Sequence, residues 1–332
     1  MNVKALIRRV NHTLKLHKLF PEHSRILVAC SGGPDSMALL HLLQDIATHR
    51  HTKYTLGVAI VDHSIRPESK DEVLWLRNEV DALELSFYTT TIDVPSLSKE
   101  LKLSEETVGR QVRYQWLNEI AQSEGYDYIA VAHHKDDQAE SILAHLIRGT
   151  GLKGLTGMAV VSNEYDVPVI RPLLGVTKTE LLAYLADRKL TYCIDSTNDD
   201  VRYQRNRIRH RIIPELEAVN PAVVDAIVRL GSSVNEDVMV ISDLTARTFD
   251  KLVSIGKDEV SISRRALRQE PLAIQRRLWQ RLVSTIDSDL TLTSAHQEQL
   301  LDIVNTGEKK TFTIKSIKVI AQCDTIKVYC KH

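Results

Sequence analysis

Short runs of apolar residues alternate with helix-like segments along the chain up to about residue 215. Four runs are rich in β-branched and aromatic residues, a composition typical of β-strands. They cover residues 25–30, 55–63, 86–92 and 128–133. Segments with helical spacing lie between them, near 36–47, 68–84 and 104–123. Because nearly continuous apolar strands separated by helices are buried on both faces, the pattern predicts an α/β fold with a doubly wound, mostly parallel sheet.

The pattern changes near residue 215. Longer helical segments follow, from Asn220 to about 253 and near 264–286 and 293–305. The chain ends in three short alternating runs, TFTIKSI, KVIAQ and TIKVYC, which predict a small antiparallel sheet. With 332 residues, the chain is long enough for two domains, which we expect at 1–215 and 216–332.

Composition limits the partners that the protein can bind. Lys+Arg and Asp+Glu balance at 43 each, so a nucleic acid would have to be bound by a local basic patch. The four cysteines contain no Cys-x-x-Cys pair, which argues against a disulfide framework or a zinc site and fits a reducing cytosol. The N-terminal twenty residues are amphipathic without a long apolar core. We therefore expect a cytoplasmic protein with neither signal peptide nor membrane partner.

The loop after the first predicted strand, CSGGPDSM (30–37), combines small residues with hydroxyl groups but contains no lysine. Backbone N–H groups at such a strand-to-helix turn bind anions. The candidate nucleotide-binding residues are Ser31, Gly32, Gly33, Pro34, Asp35 and Ser36. Asp35 would repel a phosphate unless Mg²⁺ lay between them, so it is the candidate metal ligand. The loop therefore suits a pyrophosphate that leaves ATP on attack at the α-phosphorus, although the glycines could also mark only a tight turn.

Polar residues also follow the second and fourth predicted strands. Asp62 and His63 close the second strand, and His133 and His134 close the fourth, so all four should line the crevice beside the loop. His133, Asp137 and Glu140 share one helix face if the helix extends back that far. These residues are candidates for a general base or for supporting a metal, the alternative being a solvated helix face.

Arginines form two further candidate groups. Arg110 and Arg113 are three residues apart and could clamp phosphates, or simply form surface salt bridges. Arg148 ends the helix that carries Glu140, where a positive charge suits the helix dipole. The stretch RYQRNRIRHR (202–211) holds five arginines and follows an acidic, cap-forming segment, Asp195 to Asp200. It fits either a solvated, salt-bridged helix or contact with an RNA backbone and unstacked bases.

The loop pattern Ser-Gly-Gly-x-Asp-Ser is that of the PP-loop ATP pyrophosphatases. The whole set of motifs resembles the tRNA(Ile)-lysidine synthetase family, closely over about residues 22–217 and more loosely beyond. The motifs that carry this resemblance are, in chain order, SGGPDS, VDHSIRP, GRQVRY, AHHKDDQAES, RGTGLKGLTGM, RPLL and the stretch from DSTNDD to RNRIRHRIIPEL. The length resembles that of the short form of the family, without an additional C-terminal domain.

The resemblance implies a reaction and its partners. ATP, with Mg²⁺, would adenylate the carbonyl oxygen on carbon 2 of the wobble cytidine in a tRNA(Ile) with a CAU anticodon. Free L-lysine would then displace AMP through its ε-amine. The first domain would be the PP-loop catalytic domain and the second a helical tRNA-binding domain, and a homodimer is a family-level expectation.

The same resemblance suggests roles for the candidate residues. Asp35, His133, Asp137 and Arg113 would be catalytic, with His133 or Asp137 assisting removal of the lysine proton. Nucleotide contacts would come from the loop together with Asp62, His63 and Arg110. The contacts to lysine or tRNA would come from Glu140, Arg148, Arg205, Arg207 and Arg209.

Three alternatives remain open at this stage. A PP-loop enzyme that adds sulfur to a tRNA base would need suitably placed cysteines. A PP-loop amide synthetase acting on a small molecule would explain the loop but not the arginine stretch. A non-catalytic nucleotide- or RNA-binding module would not need Asp35, His133 and Asp137 in one crevice.

Overall fold

The computed structural model describes residues 3–49, 54–64, 69–193, 204–256, 259–306 and 309–330. The chain divides into two compact units, one up to Ser232 and the other from Ser233 onward. This division lies inside a long helix, whereas the change in sequence pattern places a boundary near residue 215, which stays a prediction.

A mostly parallel sheet forms the centre of the first unit, as the apolar runs predict. In the described residues it has six strands in the order β3-β2-β1-β4-β6-β5, and only β5 runs antiparallel to its neighbour. The strands are β1 (Arg25–Ala29), β2 (Thr55–Asp62), β3 (Ser86–Thr91), β4 (Tyr128–Ala130), β5 (Val161–Ser162) and β6 (Val169–Ile170). The two-residue strands β5 and β6 are too short to give a periodic signal in the sequence.

Helices connect these strands. They are α1 (Val3–Leu16), α2 (Pro34–His49), α3 (Ser69–Ala82), α4 (Val94–Leu101), α5 (Glu105–Ser123), α6 (Lys135–Arg148), α7 (Leu152–Leu155), α8 (Lys178–Asp187), α9 (Gln204–Arg207) and α10 (Ile213–Val219), with a π-helical turn (Ile208–Ile212) between the last two. Helix α5 begins where the sequence predicts, because the Ser104 hydroxyl accepts a hydrogen bond from the Thr107 N–H at 3.2 Å.

Both faces of the parallel sheet are covered by apolar packing. Ile26 and Val28 of β1 belong to the cluster on one face, and Leu27 belongs to the cluster on the other. This double burial explains why β1 reads as a continuous apolar run without alternation. In β2, Gly57 leaves room for a neighbouring ring, since a Cβ there would lie 1.9 Å from the Tyr126 hydroxyl oxygen.

The strand order creates a crevice at the centre of the sheet. Strand β2 lies on one side of β1 and β4 on the other, so the chain reverses its direction of winding between β1 and β4. In doubly wound sheets, ligands bind at the carboxyl ends of the strands on either side of such a reversal. The 30–37 loop and residues 133–134 follow those two ends.

The second unit is built around an antiparallel sheet, as the terminal alternation predicts. Its strands, in the order β7-β8-β11-β10-β9, are β7 (Val253–Ile255), β8 (Glu259–Ser263), β9 (Lys310–Ile314), β10 (Ile317–Gln322) and β11 (Thr325–Cys330). Its helices are α11 (Val223–Leu252), which begins in the first unit, α12 (Arg264–Gln269), α13 (Leu272–Ile286) and α14 (Ser294–Thr306). Trp279 is fully buried at the centre of this unit's own apolar core.

Two further findings concern the cysteines and the lengths of the helices. All four cysteines carry free thiols. Among the helices of the described ranges, none combines the length and apolarity required to cross a membrane.

Candidate active site

The loop between β1 and α2 is held in shape by its own hydroxyl groups. The Ser36 hydroxyl accepts a hydrogen bond from the Ser31 N–H at 3.2 Å and donates one to the Gly33 carbonyl at 2.9 Å. Gly32 has a φ of +77°, which favours glycine, and its carbonyl accepts from the Cys193 N–H at 2.9 Å. These hydrogen bonds fix the shape of the loop.

Helix α2 begins at Pro34, directly after the two glycines. Proline is favoured at a first helical position because the N–H that it lacks would have no partner there. The N–H groups of the first helical turn have no partner within the helix, and with the helix dipole they favour an anion. The loop and the first turn thus have the donors of a phosphate-binding site.

Asp35, in this first turn, is paired with a lysine from a distant part of the chain. The Lys178 ammonium lies 2.6 and 2.7 Å from the two Asp35 carboxylate oxygens. Burial alone would raise the pKa of Asp35, but His134 and Lys178 together lower it below its ordinary value. The carboxylate is therefore ionised at neutral pH.

The residues suit Mg²⁺ only in combination with a bound nucleotide. In the part of the chain that the structure describes, no three His, Cys, Asp or Glu side chains are grouped so that they could hold a metal ion. Asp35 is one ionised carboxylate beside an anion site. Mg²⁺ is commonly bound by one or two carboxylates together with phosphate oxygens and water. The site fits Mg²⁺ held jointly by Asp35 and phosphates.

His134 connects the loop to the start of α6. Its Nε2 lies 3.7 Å from Asp35 and 3.4 Å from Asp137, and its Nδ1 lies 3.3 Å from Asp136. Burial alone would lower the pKa of His134. The three carboxylates outweigh burial and raise that pKa from 6.5 to about 9. His134 is therefore a buried cation. The sequence places it with His133 at the end of the fourth predicted strand, but the predicted catalytic role falls on His133 alone.

Asp137 and Glu140 of α6 bind two arginines of the 202–211 stretch. Glu140, only 1% exposed, accepts from Arg205 Nε at 2.9 Å and from Arg209 Nε at 2.6 Å. Asp137 accepts from the Nη2 atoms of Arg205 and Arg209 at 2.8 and 3.0 Å. The sequence predicts that Asp137 and Glu140 share a face, and the structure places both carboxylates against the same two guanidinium groups.

His133 lies just before α6, beside several positive charges. Burial lowers its pKa from 6.5 to about 3, and the charges of Arg171, Arg205 and Arg113 add to this effect. Asp137 opposes the shift without reversing it. The ring is thus neutral at physiological pH, and its buried Nδ1 has no hydrogen-bond partner within the described structure.

The predicted arginine pair on α5 lies over one aromatic ring, that of Tyr114. The guanidinium carbons of Arg110 and Arg113 lie 4.9 and 5.5 Å from the centre of the Tyr114 ring. Tyr114 itself stacks on Tyr165 at 5.5 Å. Burial lowers the pKa of Arg113 from its ordinary value, whereas Arg110 is exposed at the surface. The pair therefore combines a buried and an exposed guanidinium.

The second-strand residues contact neighbouring backbone and α5. Asp62 is buried, and its carboxylate accepts from the Ser64 N–H at 2.9 Å. His63 lies against Gly109 of α5, and burial together with the Arg113 charge lowers its pKa to about 4.

Arg148 and Arg207 do not join the buried cluster. Arg148 is exposed, and its Nε donates to the Ala144 carbonyl of its own helix at 3.3 Å. Arg207 is exposed and lines a groove of about 500 Å³ with Gln204 and Arg211. The acidic segment from Asp195 to Asp200 and Arg202 lie outside the described residues.

Lys178 and Asp136 also belong to this site and were missed by the sequence prediction. The sequence does carry a helix-start signal, Thr177 followed by Glu180, and these two residues form a capping box at the start of α8. That signal locates the lysine at a helix terminus, but the contact with Asp35 spans 143 positions and leaves no local trace.

The comparisons agree with this fold. A family model described as a PP-loop domain matches residues 4–216, so the chain is a PP-loop protein. A U34-tRNA thiolase structure from Methanococcus maripaludis has the same fold, with a TM-score of 0.59 and 20% identity over 70% of this chain and 78% of that one. At this level of identity, the likeness shows the fold alone.

Two curated relatives narrow the class. The tRNA(Ile)-lysidine synthase of Caldanaerobacter subterraneus subsp. tengcongensis is 32% identical over 328 residues, which are 98% of this chain and 68% of that protein. The tRNA(Ile)-lysidine synthase of Thermosipho africanus is 38% identical over 247 residues, or 74% of this chain. This chain belongs to the tRNA(Ile)-lysidine synthase family. It spans 56% of the length of the Thermosipho relative.

Proposed function

We propose that this protein attaches L-lysine to carbon 2 of the wobble cytidine in a tRNA(Ile) with a CAU anticodon, consuming ATP and releasing AMP and pyrophosphate. The observation that carries the proposal is the link between two parts of one crevice. His134 lies within 3.7 Å of Asp35 in the anion-binding loop and within 3.4 Å of Asp137 in the arginine-bound cluster. Family membership supplies the identity of the RNA and the amine.

The first step joins RNA to nucleotide. The carbonyl oxygen on carbon 2 of the cytidine attacks the α-phosphorus of ATP, and the bond from that phosphorus to pyrophosphate breaks. The loop N–H groups and the α2 terminus hold the departing pyrophosphate. Asp35 would hold Mg²⁺ together with the phosphates, and the ion would supply positive charge against the developing negative charge. The target base has to leave its stack, which costs a few kcal/mol.

The second step forms the carbon–nitrogen bond. The ε-amine of lysine attacks carbon 2, and the bond between carbon 2 and the oxygen that leaves with AMP breaks. In going from ammonium to the product, the nitrogen loses two protons and keeps one. A free lysine side chain has a pKa of about 10.4, so a proton must be removed locally. His133 is our candidate acceptor, because its ring is neutral and its Nδ1 is unpartnered, whereas Asp137 is held by two arginines. Phosphates bound beside His133 would offset the arginine charges and raise its low pKa.

The buried carboxylates position arginines for this reaction. Each Glu140 oxygen already accepts from a guanidinium group, so we infer that Glu140 holds Arg205 and Arg209 and does not itself contact lysine. Arg113 and Arg205 lie near His133 and would stabilise the α-phosphate. Arg110 would contact the adenylated base from the surface side.

The exposed arginines are the candidates for binding RNA. Arg207 and Arg211 line one groove together with Glu215, Gln204 and apolar residues including Ile147. The two guanidinium groups and the apolar surface suit phosphates and unstacked bases. In the described residues, neither arginine forms an ion pair. Arg148 also lies exposed at the end of α6.

The experiment uses the full chain with radiolabelled lysine, ATP and Mg²⁺. Two tRNA(Ile) transcripts that differ only in a CAU or GAU anticodon are compared, and label in RNA and AMP release are both measured. We expect label only in the CAU transcript, with AMP released in equal amount. Asp35→Ala should abolish labelling while circular dichroism shows an unchanged fold.

Other outcomes would contradict the proposal. Equal labelling of both transcripts, or no labelling by folded protein, would reject lysine transfer to cytidine. A PP-loop enzyme that adds sulfur would leave the RNA unlabelled by lysine and would release AMP only when a sulfur donor is supplied. Full activity of Asp35→Ala would reject the metal role of that residue.

A further inference from the structure

The loop lacks a lysine of its own, yet one reaches it from α8. Among the described ion pairs, those that involve a side chain of the loop come from His134 and Lys178. The His134 contact is long, at 3.7 Å, whereas the Lys178 ammonium contacts both Asp35 oxygens within 2.7 Å. Lys178 is thus the cation with the closest contact to the loop.

The position of Lys178 is fixed by its backbone. Its N–H donates to the Asp136 carboxylate at 2.9 Å, and the preceding Thr177 caps α8. The Lys135 N–H donates to the Val176 carbonyl at 2.8 Å, which ties this segment to the start of α6. The side chain alone is therefore left to move between partners near the loop.

Stability does not explain this ion pair. The Lys178 and Asp35 side chains are 34% and 30% exposed, and pairs in such surroundings contribute little to folding. The geometry is more informative, because the Asp35 carboxylate lies in the first turn of α2, where an anion is favoured. The carboxylate that Lys178 contacts here stands in for a phosphate.

We propose that Lys178 is the phosphate-binding lysine of this site. Without nucleotide it pairs with Asp35. When ATP binds and Asp35 turns to the cation, the Lys178 ammonium transfers to the oxygens of the two outer phosphates and stays with the pyrophosphate as it leaves. A lysine on α8 thereby replaces the lysine that other phosphate loops carry within the loop. This inference rests on the proposed use of ATP.

Binding measurements without RNA or lysine test it. Isothermal titration calorimetry with Mg²⁺ compares ATP, inorganic pyrophosphate and AMP, which lacks the outer phosphates. A hydrogen bond to a charged group typically corresponds to about 10- to 100-fold in affinity. We expect Lys178→Met to weaken the binding of ATP and of pyrophosphate by that factor and to leave the affinity for AMP unchanged. Lys178→Arg should recover part of the lost affinity.

A second lysine, just beyond the end of α8, provides a matched control. Lys189 is exposed just beyond the end of α8, about 15 Å from its start, so Lys189→Met should leave all three affinities unchanged. If Lys178→Met folds poorly by circular dichroism, Lys178→Gln, which keeps a polar end, provides the same comparison.

Each remaining outcome decides the matter. If Lys178→Met weakens ATP binding and AMP binding equally, Lys178 only shapes the loop. If ATP binding is unchanged, Lys178 contacts no phosphate. Either result overturns the inference. Wild-type protein that binds no nucleotide overturns both this inference and the proposed function. If Lys178→Met selectively loses ATP and pyrophosphate binding but the wild-type protein labels no RNA with lysine, the inference stands and only the proposed function is overturned.

Discussion

At the scale of single residues, two arginines only two positions apart occupy opposite environments. Arg205 contacts Glu140 and Asp137 at 2.9 and 2.8 Å, whereas Arg207 points into an open groove. Residues two apart on a helix do not share a face, so one arginine of each such pair faces inward. Helix residues of the 202–211 stretch therefore form both a salt-bridged face, which includes Arg205, and an exposed basic face, which includes Arg207.

This difference predicts unequal effects on stability. Arg205→Ala leaves the almost fully buried Glu140 with one guanidinium partner in place of two, and we expect a loss of about 2 kcal/mol. Arg207→Ala removes an exposed side chain and should change the free energy of unfolding by less than about 0.5 kcal/mol. Urea unfolding of both variants without nucleotide measures the two changes, and equal losses would contradict the assigned environments.

How far the sequence predicts the site depends on how far apart its contacts lie in the chain. Asp35 and the serines of the loop form a local pattern, and Asp137 and Glu140 follow helical spacing, so all were predictable. The Lys178–Asp35 contact joins distant positions and depends on packing of α8 against α2. The sequence likewise cannot show which of two adjacent histidines lies among carboxylates, because that depends on the direction in which the chain leaves β4.

At the scale of elements, three helix N-termini meet in the crevice. Lys178 at the start of α8 contacts Asp35 in the first turn of α2 and, through its N–H, Asp136 in the first turn of α6. Each terminus carries partial positive charge, so three together favour an anion more than one does. The aspartates in the first turns of α2 and α6 supply negative charge at this junction.

His134 makes the stability of this junction depend on pH. Its pKa is raised from 6.5 to about 9 by Asp35 of α2 and by Asp136 and Asp137 of α6. The contribution is fully present below pH 6.5 and is lost as pH rises through about 9, and it amounts to about 3 kcal/mol. We expect wild-type stability in metal-free, nucleotide-free buffer to fall over this range, as measured by urea unfolding at a series of pH values.

His134→Gln isolates this effect from other groups that titrate between pH 6.5 and 9. The variant should be less stable than wild type at pH 6.5, and the difference should shrink towards pH 9.5. A difference that stays constant with pH would mean that His134 is neutral in the folded protein.

Most elements of the fold were predictable because their apolar spacing is regular. Strands β1 to β4 and the first turn of α5 follow from such patterns. The antiparallel sheet contains two strands, β7 and β8, in addition to the three predicted ones. These two were not predicted, because the alternation in such short segments follows directly on a long helix. The single helical region near 264–286 is two helices, since Pro271 ends hydrogen bonding between α12 and α13.

At the scale of the whole molecule, the balance of charges limits how RNA can be attracted. The formal net charge is zero, so no overall field draws in a polyanion. Under the proposed function, exposed arginines that form no ion pair within the described residues would supply much of the electrostatic contribution to RNA binding. The groove beside Ile147 carries two of them, Arg207 and Arg211.

Salt dependence of RNA binding tests whether this groove contacts phosphates. Each phosphate contact contributes about 0.7–0.9 to the slope of log affinity against log salt concentration. Arg207→Ala and Arg211→Ala should each reduce the slope by about that amount, and the double variant by about twice as much, because released counterions add. Filter binding of the CAU transcript between 50 and 200 mM salt gives the slopes.

Arg77→Ala is the control. Arg77 stacks on Phe87 of β3, at the edge of the sheet away from β4, so the slope measured for this variant should match that of wild type. If the double variant keeps the wild-type slope, the groove does not contact phosphates, and the RNA is held elsewhere on the molecule.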